Sequence, residues 1–196
     1  MLYSIVRALL RFIFYFLGLR AEGLENIPRS GPVIIASNHV SNWDPVVVAL
    51  VVSRPIHFMA KASLFKFKIM DKIFRLLHAF PVKRGVPDRQ AIRQALLVLE
   101  EGKVLGIFPE GARNKTGDLK ALAGVGMIAL KSGAPVVPVA CLGTSHTLPC
   151  GWFDPLRVRI GKPIYSNEIP EPVAKSSRME LFSEKIMNKI RILLDK

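Results

Sequence analysis

Apolar positions along this chain fall into short runs that alternate between the two periods of regular structure. "VIIAS" (33–37) follows the Gly31-Pro32 turn as a continuous β-branched run, the mark of a buried strand. Asp44-Pro45 then reads as a helix start, with aspartate at the N-cap, proline at the first helical position and "VVVALVV" as the continuation. "IHFMA" (56–60) predicts a second strand. From Leu64 to His78 a helical wheel collects Lys68, Asp71, Lys72, Arg75 and His78 on one side. Phe65, Phe67, Ile69, Met70, Ile73, Phe74 and Leu77 fall on the other, and only Lys66 is misplaced. "DRQAIRQALLVLEEG" (88–102) predicts a helix with an Asp start and a Gly end. "VLGIF" (104–108) is the next strand and runs directly into "PEGARNKTG". "AGVGMIALKSG" has helical spacing, while "PVVPVACL" (135–142) and "RVRIGKPI" read as strands. "SRMELFSEKIMNKIRILL" closes the chain as a helix, with Ser177 and Glu180 placed to form a capping box. Strands alternating with helices predict a layered α/β domain.

The opening "MLYSIVRALLRFIFYFLGL" is apolar but interrupted by Arg7 and Arg11, which leaves too few consecutive apolar residues for the ~20 of a spanning helix. On a wheel Ser4, Arg7, Arg11, Tyr15 and Gly18 form one narrow stripe and the remainder is apolar. That pattern predicts a helix lying in a membrane interface, with a core helix and a spanning anchor as the competing readings. No small-x-small site follows Leu19, so a cleaved signal peptide is not expected.

Length and composition then bound the partners. A chain of 196 residues that is half hydrophobic has enough material for one core, hence one domain. Lys and Arg outnumber Asp and Glu by 28 to 15, and the formal +13 favours polyanionic partners: nucleic acid, anionic lipid or phosphorylated substrates. Nothing resembles an RRM, a zinc finger or a KH loop, so no nucleic acid is expected. Cys141 and Cys150 are too few for a disulfide framework and lack metal-site spacing, which favours a reducing compartment.

Ligands of open α/β sheets bind outside the carboxyl ends of the strands, so polar residues directly after apolar runs come first as site candidates. Three stretches qualify: Asn38 to Asp44, Pro81 to Gly85, and Pro109 to Arg113. In "SNHVSNWDP" a carboxylate at Asp44 can fix the tautomer of His39 and leave its other nitrogen free to take a proton. No Ser or Cys stands nearby in a G-x-S-x-G elbow, so the nucleophile would belong to the substrate. Taken alone, a strand-end histidine and a helix-capping aspartate would explain the same spacing. Lys83 and Arg84 in "FPVKRG", and Glu110 and Arg113 in "FPEGAR", add charge that suits phosphate recognition. His57, His78 and His146 lack such a paired partner, and Cys141 reads as a small core residue.

Four ordered blocks resemble the 1-acylglycerol-3-phosphate acyltransferases and their relatives in glycerolipid synthesis. They are "GLENIPRSGPVIIASNHVSNWDP", similar to the N-H-x-S-x-x-D block and its lead-in, then "FPVKRG", "FPEGAR" and "VVPVA". Ala112 stands where Thr or Ser is usual, and Val82-Lys83 precedes Arg84 in place of the commoner Ile-Asp type. The resemblance implies a glycerolipid acyltransferase fold: a layered mixed sheet flanked by helices, with a membrane-associating helix over 1–20 and an acyltransferase domain over 21–196. It implies acyl transfer from acyl-CoA or acyl carrier protein to the 2-hydroxyl of lysophosphatidic acid, with neither metal nor cofactor. His39 would be the general base, oriented by Asp44. Arg84 would hold the acceptor phosphate, Glu110 and Gly111 would position the glycerol, and Arg113 would add charge toward phosphate. Asn38, Ser41 and backbone amides are the candidate oxyanion donors. Anionic membrane lipid completes the expected partners, at the cytoplasmic face of a membrane. The competing expectations are another lyso-lipid acceptor and a non-catalytic peripheral membrane-binding module.

Overall fold

A computed structural model describes residues 2–114, 122–145, 155–169 and 174–196 of the chain. Its helices are α1 (Leu2–Phe16), α2 (Asp44–Val51), α3 (Lys68–Leu76), α4 (Arg89–Glu100), α5 (Gly124–Ser132) and α6 (Lys175–Leu194). Its strands are β1 (Arg20–Glu22), β2 (Val33–Ser37), β3 (Ile56–Lys61), β4 (Phe80–Val82), β5 (Val104–Ile107), β6 (Val136–Leu142) and β7 (Arg157–Ile160). All seven strands join one sheet in the order β1-β7-β6-β2-β5-β3-β4. The block from β6 to β4 is parallel, because a helix returns the chain between most of its strands, whereas β7 lies antiparallel to β6.

The continuous apolar run of β2 has its cause in this order. β2 is central, pairing with β5 through Ile34↔Leu105 and with β6 through Ile34↔Val136, and all five of its residues are buried. Strand pleat sends Val33 and Ile35 into a core under α1 and α2, and Ile34 and Ala36 into a second core under α4, α5 and α6. Each fully buried aliphatic side chain contributes about 1.5–3 kcal/mol. β2 therefore ties both layers to one strand, and the loop that leaves its carboxyl end starts from a rigid base.

Several expected elements are displaced. The 64–78 helix is a short 3-10 turn at Ala62–Phe65 followed by α3, with Phe67 extended between them, so Lys66, the residue that fitted no face, lies outside the helix. α6 begins earlier than Ser177, at Lys175, with Ala174 as its N-cap and no side-chain cap, so the Ser177–Glu180 capping box does not form. Asp44 is itself the first residue of α2, behind Trp43, and does not cap it. β1 and β4 have three residues each and pair at opposite edges of the sheet, too short for a periodic signal to show.

Helix α1 packs one side on the domain and leaves the other exposed. Phe14, 2% exposed, packs on the Trp43 ring at 5.8 Å, and Leu10 and Leu19 join the same core. Arg7 turns inward: its guanidinium donates to Val52 O and, at 2.9 Å, to Ser53 O, carbonyls at the end of α2 that lack a helical partner. The stripe that reads as a water-facing arginine edge is thus partly the seam with the domain. Ile5, Leu9, Phe12 and Phe16 face outward, and α3 buries none of its residues, leaving Phe67 and Ile69 exposed. Among the described residues no helix is long and apolar enough to cross a membrane.

Candidate active site

The parallel block brings the carboxyl ends of β6, β2, β5, β3 and β4 to one edge. β2 and β5 are neighbours whose following helices, α2 and α5, cover opposite faces of the sheet, a switch point of the kind where open α/β sheets bind ligands. His39 leaves β2 on one side of it and Glu110 leaves β5 on the other.

The loop after β2 is fixed at its base by Asn38. Its amide donates to Cys141 O at 3.0 Å and its carbonyl oxygen accepts from Cys141 N at 2.7 Å, so the side chain continues the ladder to β6. One amide N–H and the carbonyl oxygen are engaged there. The Ser41 hydroxyl accepts from Trp43 N at 3.3 Å, and its backbone N–H goes to Asp44.

Asp44 is fully buried, and its carboxylate is turned back into the loop. Oδ2 accepts from Val40 N and Ser41 N, each at 2.7 Å, and from His39 Nδ1 at 2.9 Å; Oδ1 accepts from Thr144 Oγ1 at 2.5 Å. A carboxylate only accepts, so His39 carries its hydrogen on Nδ1 and leaves Nε2 able to take a proton. The His39 ring stacks on Phe108 with centroids 4.1 Å apart, and Phe108 stacks on Phe58 at 5.8 Å. Gly106 makes room for that stack, since a Cβ there would come within 2.4 Å of the Phe58 ring.

From the other side, Glu110 Oε1 accepts the His39 backbone N–H at 3.1 Å, and Asn114 N donates to His39 O at 2.7 Å. Oε2 is buried with no hydrogen-bond partner among the described residues. Burial raises the Glu110 pKa above the ordinary carboxylate value, opposed by the His39 N–H, by His39 itself and by Asn114. Gly111 sits at φ +68°, and a Cβ there would meet Leu122 Cδ1 at 2.4 Å, so the turn carrying Glu110 requires glycine.

Arg84 follows β4 and Arg113 follows β5. Arg84 is an exposed side chain whose guanidinium end is partly desolvated and lies in the field of Arg113; both lower its pKa, burial more. Two like charges 29 positions apart in sequence therefore lie within each other's field. Asp88 sets the Lys83-Arg84 turn. Its carboxylate accepts from Lys83 N at 2.8 Å while capping α4 through Gln90 N and Ala91 N, and these bonds, Lys83 first, hold its pKa below the usual value.

All six residues singled out in the sequence, His39, Asp44, Arg84, Glu110, Gly111 and Arg113, thus lie at this one edge. Thr144, Phe108 and Asp88 were not anticipated there. Thr144 follows β6 as His39 follows β2, so the rule that marked the other stretches also marks it. The His57 and His78 rings lie 4.9 Å apart, tilted against each other, and burial lowers both pKa values. Cys141 is buried, and its thiol is pushed up to about 12 by desolvation and then by Asp44, which keeps it unreactive at neutral pH. His146 and Cys150 lie outside the described residues. Among the described residues no group of three or more His, Cys, Asp and Glu side chains could hold a metal ion.

Residues 18–142 match the family model described as Acyltransferase, more than half of the chain. The chain belongs to the acyltransferase family. It is 32% identical over 181 residues to the 1-acyl-sn-glycerol-3-phosphate acyltransferase of Bacillus subtilis, covering 91% of this chain and 89% of that one. To the Borreliella burgdorferi protein of the same name it is 30% identical over 149 residues, covering 74% of this chain and 60% of the relative. Its structure is similar to the crystal structure of the 1-acyl-sn-glycerophosphate (LPA) acyltransferase PlsC from Thermotoga maritima, with a TM-score of 0.68 and 28% identity over 96% of this chain and 79% of the other.

Glu110 gives this acyltransferase a pH signature. Its raised folded-state pKa means that between the unfolded carboxylate value and the folded one the native state binds more protons. The stability Glu110 contributes is therefore full below the unfolded value and is lost as pH rises through the folded one. Glu110→Gln removes this loss, so the variant is expected to gain stability relative to wild type as pH increases from about 4 toward 7. Urea midpoints across that range check it; parallel curves for the two proteins would show that Glu110 is not desolvated.

Proposed function

We propose that this acyltransferase moves a fatty acyl group from an acyl thioester, acyl-CoA or acyl carrier protein, to the 2-hydroxyl of 1-acylglycerol 3-phosphate, giving phosphatidic acid. One observation carries the reading: a buried His39–Asp44 pair whose Nε2 has no partner among the described residues, beside hydroxyls that bond elsewhere. Ser37 Oγ donates to Asn38 O, Ser41 Oγ accepts from Trp43 N, and Thr144 Oγ1 donates to Asp44. Among the described residues no hydroxyl donates to His39 Nε2, and in this reaction the acceptor's own hydroxyl is the nucleophile. His39 Nε2 takes its proton as the oxygen attacks the thioester carbonyl. The C–S bond then breaks, and the thiolate leaves with little need of acid help. Asp44 keeps the imidazole in the reactive tautomer and stabilises the imidazolium as it forms. Arg84 and Arg113 hold the acceptor phosphate, which offsets their mutual repulsion. Glu110 and Gly111 position the glycerol from the β5 side. This chemistry needs no metal or cofactor.

The acceptor is a lipid, and the outward apolar faces of α1 and α3, edged by Arg11, Lys68 and Lys72, suit a helix pair lying in an anionic membrane surface at its cytoplasmic side. The names of the relatives support the same acceptor. The test supplies purified protein with an acyl thioester and vesicles carrying a panel of lyso-lipids. Free thiol is expected to appear with lysophosphatidic acid, and product mass to equal phosphatidic acid. Turnover with a different lyso-lipid only would reassign the acceptor. Flotation of the protein with anionic but not neutral vesicles is expected alongside; equal flotation with both would remove the electrostatic part of the membrane reading.

A further inference from the structure

We infer that Thr144 is a positioning residue for the reaction, holding the carboxylate of Asp44, and through it the imidazole of His39, in the reactive orientation. This rests on the general-base reading above and assigns a role to a residue outside the four sequence blocks.

The geometry separates Thr144 from the other partners of Asp44. Val40 N, Ser41 N and His39 Nδ1 all bond Oδ2 and lie three to five residues before Asp44, in the same loop. They fix the carboxylate relative to the loop and move with it. Thr144 bonds the other oxygen, Oδ1, from 100 residues away, at the exit of β6. That exit is set by the sheet: β6 pairs with β2 on one side and β7 on the other, and the chain then turns at Gly143, φ +79°. The Asn38–Cys141 clamp ties the start of the loop to β6, and Thr144 ties its end to the same strand. Without the second tie a carboxylate can turn about its terminal torsion, which is a broad well. Rotation would carry Oδ2 away from Nδ1 and leave the ring free to tilt. Thr144 is 2% exposed and Asp44 0%, so no bulk water replaces the hydroxyl once it is gone.

The test compares Thr144→Ala with Thr144→Ser, which differ only in the hydroxyl; Thr144→Val adds a variant that keeps the side-chain volume. Thr144→Ala and Thr144→Val are expected to lose roughly ten- to a hundredfold in kcat, with the KM of acceptor and thioester each within about twofold. Thr144→Ser is expected to recover most of kcat. The NMR signal of the His39 Nδ1 proton, identified by its loss in His39→Gln, is expected to be displaced or absent in the Ala variant and restored in the Ser variant. A purely packing role predicts the reverse ranking, with Val above Ser, and an unmoved proton signal. Equal kcat for the Ala and Ser variants would overturn the inference. If His39→Ala is as active as wild type, the general-base reading fails instead; if His39→Ala is inactive and Thr144→Ala is not slowed, only the role of Thr144 fails.

Discussion

His39→Ala is expected to lower turnover by roughly 10²- to 10⁴-fold, the range for a lost general base, while the chain still folds. The side chain is 9% exposed and its ring stacks on Phe108, so its removal leaves a void costing about 1–3 kcal/mol, which calls for activity per folded molecule, read with a melting curve. Asp44→Asn separates the two roles this carboxylate could have. A helix cap tolerates Asn nearly as well as Asp. The structure instead gives Asp44 four donors: two backbone N–H groups, His39 Nδ1 and Thr144 Oγ1. An amide sets an N–H against at least one of them at a fully buried position, so Asp44→Asn is expected to lose both about 1–3 kcal/mol of stability and most of its turnover. Full activity in a folded His39→Ala protein would remove the base from the mechanism. Full stability in Asp44→Asn would return the aspartate to an ordinary helix start.

The second large effect is on the acceptor alone. Arg84→Ala and Arg113→Ala are each expected to raise the acceptor KM by roughly ten- to a hundredfold, the worth of a charge-assisted bond to phosphate, and to leave the thioester KM within about twofold. Because Arg113 adds to the lowering of the Arg84 pKa by burial, the two guanidinium groups repel each other. Removing one relieves the other, so the double variant is expected to cost less than the sum of the single ones. Arg84→Lys is expected to recover only part of the loss, since an ammonium cannot give the planar two-point contact of a guanidinium. Equal changes in both KM values would move these arginines from the phosphate to a general electrostatic role, which added salt would then weaken for both substrates alike.

Much of the fold was legible because its cause is local. β2 is buried on both faces, so "VIIAS" is apolar up to its last residue, and α4 shows its period, its Asp88 cap and its terminal glycine within one stretch. The misreadings share a cause too. Lys66 fitted no wheel because the chain is extended at Phe67, and β1 and β4 hold three residues each, paired to partners the local sequence does not contain. Arg7 showed only as part of a polar stripe because its partners, the carbonyls of Val52 and Ser53, lie 45 and 46 residues away. Asp44-Pro45 has the composition of a helix cap, and only the loop folding back over it turns that carboxylate toward His39.

The sequence by itself therefore determined the alternation of strands and helices, the polar stretches at strand ends and the four blocks with their His39, Asp44, Arg84, Glu110 and Arg113. Periodicity, turn chemistry and motif spacing are properties of neighbouring residues, and neighbours are what a sequence records. Tertiary structure alone decided that β2 and β5 stand side by side, so that Glu110 meets the backbone of His39, and that Arg84 and Arg113 share one field. It also decided that Thr144, 100 residues from Asp44, closes the carboxylate's last oxygen. Those contacts depend on strand order and on burial, and a buried charge takes whichever donors the fold brings to it, however far apart they lie along the chain.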